Sequence, residues 1–166
     1  MTDQAPRPGD PRPIAIRDAG GEDMDAVMAI MGHAFEPNYG EGWTRSQCAG
    51  ILPMSGVSLR LAERRDGAVS GFALMRAIAD EAELLLIAVD PAAQHNGFGA
   101  ALVSDFIALA TTRGARRLHL EVRDGNAAIS LYEQAGFSLV GRRLNYYRGR
   151  DGVNHDALTL ALEHKL

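Results

Sequence analysis

Across residues 22–35 the apolar side chains of Met24, Val27, Met28, Ile30, Met31 and Phe35 recur three and four positions apart, the spacing that lines one face of an α-helix. Glu22, Asp23 and Asp25 in its first turn suit the positive end of the helix dipole, and the methionines read as core rather than as a cofactor surface. Residues 14–17 alternate and follow prolines, which predicts a short first strand. Residues 36–42 hold Pro37, Asn38 and two glycines, so the chain loops there. Thr44 with Gln47 forms a capping box opening a short helix to Leu52. Residues 57–64 and 69–77 flank Arg65-Asp66-Gly67, whose Asp-Gly pair suits a tight β-hairpin.

Residues 83–89 are a near-continuous apolar run ended by Asp90-Pro91, the pattern of a central strand buried on both faces. A glycine-containing turn at 94–99 leads into Leu102, Val103, Phe106, Ile107, Leu109 and Ala110 in helical phase up to Gly114. Residues 118–122 form another strand, so the middle of the chain is a β-α-β unit with two parallel strands. A helix from about Ala127 is stopped by Gly136, and residues 138–147 and 155–162 make a second hairpin about a turn at 149–152. The pattern is a mixed α/β sheet in one domain, residues 14–166, with no repeat and no internal linker. Residues 1–13 hold four of the seven prolines and read as a disordered tail, not a secretory signal.

Composition narrows the function classes. A chain of 166 residues, 46% hydrophobic and 23% charged, can build an ordinary core without a metal or disulfide staple. Its net charge of -4 argues against direct nucleic-acid binding, and the near-exclusive use of Arg over Lys fits coding bias as well as phosphate recognition. Cys48 stands alone, so an internal disulfide and a cysteine zinc site are both excluded, and a reducing, cytoplasmic setting fits. No apolar run is long enough for a membrane helix.

The strand-turn-helix over residues 87–102 places two glycines, Gly97 and Gly99, at a helix start. Unpaired N–H groups and the helix dipole converge there, which suits a phosphate or pyrophosphate; a tight turn that simply needs glycine is the other reading. Glu121 lies where the ribose-binding acid of a Rossmann unit would fall, but Leu102 occupies the place of its third glycine and several elements precede the motif.

Leu120-Glu121-Val122-Arg123, Asn126, Leu131-Tyr132-Glu133-Gln134-Ala135-Gly136-Phe137, Arg143, Tyr146-Tyr147 and Asp156-Ala157-Leu158 together resemble the GNAT acyl-CoA N-acyltransferases. Within them the chain is most similar to the ribosomal-protein-alanine N-acetyltransferases (RimI). The resemblance implies a sheet splayed between its fourth and fifth strands, acetyl-CoA as donor, no metal, and the free α-amine of a ribosomal protein as acceptor. It further implies that the backbone at Ile87, Ala88 and Val89 lines the pantetheine and acetyl group, with Val89 N–H as oxyanion donor. His95, Asn96, Gly97, Phe98, Gly99 and Ala100 would hold the pyrophosphate, helped by Asn126. Glu121 would be the general base and Tyr132 the general acid. Tyr39, Trp43, Arg143, Tyr146 and Tyr147, with Arg142, would approach the acceptor. A carboxylate suits this chemistry, since an N-terminal amine with a pKa of about 8 is mostly protonated at neutral pH and must lose a proton before it attacks.

From the residues alone, Glu121 could instead pair with an arginine, and the Tyr132 hydroxyl could simply find a backbone acceptor. The spacing from Asn126 to Tyr132 is one residue shorter than the usual pattern, so either the helix starts later or Asn126 is not the cofactor contact. The alternatives for function are transfer to a small-molecule amine (antibiotic, polyamine or amino acid) and a non-catalytic acyl-CoA-sensing module.

Overall fold

A computed structural model describes residues 14–164; the expected tail at residues 1–13 lies outside them. Seven strands form one sheet: β1 (Ala15–Ala19), β2 (Val57–Glu63), β3 (Val69–Ile78), β4 (Glu81–Val89), β5 (Arg117–Arg123), β6 (Ser138–Arg148) and β7 (Asn154–Glu163), in spatial order β1-β2-β3-β4-β5-β7-β6. All neighbours are antiparallel except β4 and β5, the two ends of the expected β-α-β unit. The sheet is mixed and not closed.

Helices α1 (Met24–Ala34) and α2 (Arg45–Ile51) cover one face, where Met24, Val27, Ile30, Met31 and Cys48 pack on Leu61, Phe72 and Leu74. Helices α3 (Phe98–Thr112) and α4 (Ile129–Gln134) cover the other, where Leu102, Val103 and Phe106 meet Met75, Leu118 and Leu120. The methionines of α1 are core, as their spacing predicts. Cys48 is buried there, and burial pushes its thiol pKa up, so it is a packing residue with little thiolate.

Three details depart from the sequence reading. The first helix begins at Met24 rather than Glu22, because the Asp23 carboxylate is held by Arg17 at 2.9 Å and accepts the Gly20 N–H at 3.1 Å, leaving residues 21–23 as a 3-10 turn. The helix expected from Ala127 begins at Ile129, since the Asn126 side-chain oxygen takes the Ala128 N–H at 2.8 Å in a turn of its own. Finally, β4 sends buried side chains to both faces, as expected, but not by simple alternation. A β-bulge at Leu85, between the pairs Leu74↔Leu86 and Met75↔Leu84, puts Leu85 and Leu86 on the same side, so that Ala82 and Leu84 pack toward α3 while Leu86 and Ala88 pack toward α1. The alternate positions stay half-buried because they wall a cleft.

The capping box stands as read: Thr44 Oγ1 accepts the Gln47 N–H at 3.2 Å, and Gln47 Oε1 accepts the Thr44 N–H at 2.8 Å. Thr44→Ala is expected to cost about 1 kcal/mol, measured by denaturant unfolding, and no loss would mean that packing alone holds α2.

Candidate active site

Pairing between β4 and β5 stops after four residue pairs, Glu81↔Arg117 to Leu84↔Leu120. From the bulge at Leu85 onward the two strands diverge. Asp90 N–H donates to Ser70 O at 2.8 Å, toward β3, so strand alternation turns the N–H and C=O groups of Ile87 and Val89 to the opposite, open edge. That edge faces a cleft of about 1260 Å³ whose walls come from β4, β5, the start of α3, α4, the end of β6 and the loop between α1 and α2.

At one end of the cleft the turn after β4 has a geometry that suits an anion. Asp90 Oδ1 accepts the Ala92 N–H at 3.0 Å, and Asn96 Nδ2 donates to the carbonyls of Ala93 and Gln94 at 3.2 and 3.0 Å. His95 and Gly97 both take left-handed backbone, φ +65° and +87°, which curls the turn. The first helical bond of α3 runs from Ala101 N–H to Gly97 O at 3.0 Å, so the N–H groups of Phe98, Gly99 and Ala100 lie ahead of it. Phe98 sends its ring into the core and offers only its backbone, while the Asn96 side chain is spent on shaping the turn. A Cβ at Gly99 would lie 3.1 Å from Leu131 Cδ2. Gly99→Val is therefore expected to abolish the rise in melting temperature that CoA produces, and an undiminished rise would move the cofactor away from this turn.

Opposite the open strand edge, the structure brings the expected acid and base into the same cleft. Glu121, on β5 just past the last β4 pair, has a side chain 19% exposed and an ion pair to Arg143 Nε at 3.0 Å. Tyr132, on α4, is 4% exposed and packs edge-on against Phe137 at 6.4 Å. Among the described residues its hydroxyl has no hydrogen-bond partner, so the reading in which it merely finds a backbone acceptor is not what is seen. Burial, followed by the negative charge of Glu41, pushes the phenol pKa well above its ordinary value and keeps it protonated.

The far wall of the cleft gathers Tyr39 and Trp43 from the α1–α2 loop and Tyr146 and Tyr147 from β6. A bulge between Arg143↔Ala157 and Tyr147↔His155, with Asn145 at φ +52° and its N–H donated to Asp156 Oδ1 at 2.9 Å, arches β6 so that Arg143 reaches Glu121 while Tyr147 lines the cleft. Burial, then Glu41 and Glu121, push Tyr147 up to about 12. Arg143 stacks over Tyr146 at 5.5 Å. Arg142 goes elsewhere, to Asp124 at 2.7 Å and Asp156 at 2.8 Å.

Two residues without an assigned role in the sequence reading join the site. Glu41, in the α1–α2 loop, accepts from Arg123 Nε at 2.9 Å and from Asn126 Nδ2 at 3.2 Å, and Arg123 lies over the Tyr39 ring at 3.8 Å. Asn126 thus ties Glu41 to the start of α4 with one end of its amide and caps Ala128 with the other. Glu41 and Arg123 are 82 positions apart, and no local pattern marks them as partners.

A model of the acetyltransferase (GNAT) family matches residues 24–137. The chain belongs to this family. It is 44% identical over 99 residues to the [ribosomal protein bS18]-alanine N-acetyltransferase of Escherichia coli (strain K12), a match spanning 59% of this chain and 66% of that relative, just under two thirds of its length. A Bacillus subtilis (strain 168) protein provisionally given the same name is 31% identical over 142 residues, 84% of this chain and 91% of the relative. Among solved structures, the ribosomal-protein-S18-alanine N-acetyltransferase from Escherichia coli superposes with a TM-score of 0.81 at 33% identity, covering 92% of this chain and 95% of that one. A Sinorhizobium meliloti phosphinothricin acetyltransferase, solved with AcCoA, shares the fold with a TM-score of 0.77 at 21% identity over 90% of this chain and 88% of its own. GNAT acetyltransferases use acetyl-CoA, and both the resemblance to the ribosomal-protein-alanine enzymes and the splayed GNAT sheet expected from the sequence are borne out. Among the described residues no helix is long and apolar enough to cross a membrane, and no group of three His, Cys, Asp or Glu side chains is arranged for a metal ion.

Proposed function

We propose that this chain transfers the acetyl group of acetyl-CoA directly to the α-amine at a protein N-terminus, with a ribosomal protein as the acceptor class. The observation that carries the reading is a single cleft holding an open strand edge, a ready carboxylate and a protonated phenol, with an anion cradle at one end. Bound acetyl-CoA supplies the thioester to be broken. The N–H groups of Phe98, Gly99 and Ala100, in the turn that includes His95, Asn96 and Gly97, hold the pyrophosphate. Ile87 pairs with the pantetheine along the open edge; Val89 and Ala88, whose own N–H and C=O turn to β3, line it, and Val89 N–H stabilises the oxyanion. Glu121 takes the proton from the ammonium, directly or through one water, so that the neutral amine attacks the acetyl carbon. Tyr132 donates its proton to the sulfur as the C–S bond breaks, and the phenolate so formed regains a proton from the nitrogen, which gives up its second proton on becoming an amide. Asn126 contributes to the cofactor site by holding the start of α4 in place.

The names of the similar enzymes support the acceptor class. Tyr39, Trp43, Tyr146 and Tyr147 offer aromatic walls with hydrogen-bonding tips, suited to an extended peptide, and Arg143 sits beside them. We take residues 14–166 as one catalytic domain working in the cytoplasm. The test is a CoA-release assay against an alanine-first peptide, spermidine and an aminoglycoside. Faster turnover of the peptide is expected; turnover of either small amine with the peptide untouched would replace this reading.

A further inference from the structure

We propose that Glu41 is the acceptor-binding group that recognises the α-ammonium of the incoming peptide before the proton is removed; this rests on the acceptor reading above. Its side chain is only 11% exposed, yet it lines the cleft from the loop between α1 and α2. Both of its hydrogen bonds, from Arg123 and from Asn126, arrive at Oε1. Among the described residues Oε2 accepts none. A carboxylate has about four lone-pair sites, so with Oε1 taken by Arg123 and Asn126 the Oε2 of this largely buried charge is left for a donor from outside the fold. Oε2 is also absent from the buried side-chain atoms sealed off without a partner, which are Arg76 Nε and Arg117 Nε, so it remains reachable from the cleft.

The surroundings fix what fits there. Arg123 is clamped between Oε1 and the Tyr39 ring, which orients the carboxylate, and Asn126 holds it from the α4 side. The charge of Glu41 is felt by the phenols of Tyr132 and Tyr147, which places it near the acid that Tyr132 would supply. A compact group with several donors and a positive charge completes this arrangement, and a terminal ammonium is such a group. An uncharged N-terminus, such as one already acetylated, leaves Oε2 without a partner.

Glu41→Gln is the discriminating change. The amide oxygen can still accept from Arg123 and Asn126, but an NH₂ then faces the cleft where Oε2 was, and it repels an ammonium. Binding to the protein–CoA complex is measured by calorimetry for two probes, an alanine-first peptide and the same peptide with its terminal amine replaced by hydrogen. The wild type is expected to prefer the amine by about 10- to 100-fold, the value of one charge-assisted hydrogen bond, and Glu41→Gln to lose that preference while binding the des-amino peptide as before. Equal weakening of both peptides, or a preference that survives, would reduce Glu41 to a loop-holding residue and overturn the assignment. If the wild type binds neither peptide, the acceptor reading itself fails and takes the assignment with it. Should Glu41→Gln not fold, Glu41→Asp keeps the charge but withdraws it by one methylene, and an undiminished preference in that variant would equally overturn the proposal.

Discussion

Glu121→Gln lowers acetyl transfer by about 10²- to 10⁴-fold at neutral pH, the loss expected when one positioned proton-transfer group is removed. The deficit narrows as pH rises. An α-amine with a pKa of about 8 is roughly one-tenth neutral at pH 7 and about nine-tenths neutral at pH 9, so the variant gains about tenfold over that interval from deprotonation in solution alone. The wild type, which removes the proton on the enzyme, gains less. Steady-state rates at the two pH values check this, and an unchanged rate in a folded Glu121→Gln variant would leave Glu121 as the ion-pair partner of Arg143 and nothing more.

Tyr132→Phe is expected to lose a comparable factor, about 10²- to 10⁴-fold in kcat, with the KM for acetyl-CoA little changed. No rescue at high pH accompanies it, because raising the pH supplies no acid in place of the lost phenol, whereas in the wild type burial holds the phenol above its ordinary pKa and keeps its proton in place. Stability gives the control. The hydroxyl has no partner among the described residues, and phenylalanine keeps the edge-on contact with Phe137, so the melting temperature should hold or rise slightly. A fall in melting temperature with normal turnover would make Tyr132 a core residue instead.

The parts of the fold legible in the sequence are those fixed by local chemistry. Thr44 and Gln47 cap α2 because their side chains reach only each other's backbone, and Gly67 at φ +83° supplies the turn that joins β2 to β3. The β3–β4 turn escaped notice because it uses Ala79 at φ +53°, where a glycine or asparagine would have announced it. The bulge at Leu85 is likewise silent, since an apolar residue fits either side of the sheet, yet it marks where β4 leaves β5. For the candidate site, the paired glycines could be read from their place at a helix start, whereas Glu121 and Tyr132 were implied by the resemblance to the GNAT enzymes. The pairing of Glu41 with Arg123 could be read from neither, because it exists only after the loop folds across the end of β5.

The most direct test of the central claim uses one peptide that carries both a free N-terminal alanine and an internal lysine. After incubation with the protein and acetyl-CoA, fragmentation mass spectrometry locates the added acetyl group. The account predicts modification of the α-amine with the lysine left free. Acetyl on the lysine side chain alone, or an untouched peptide beside efficiently acetylated spermidine, would contradict it.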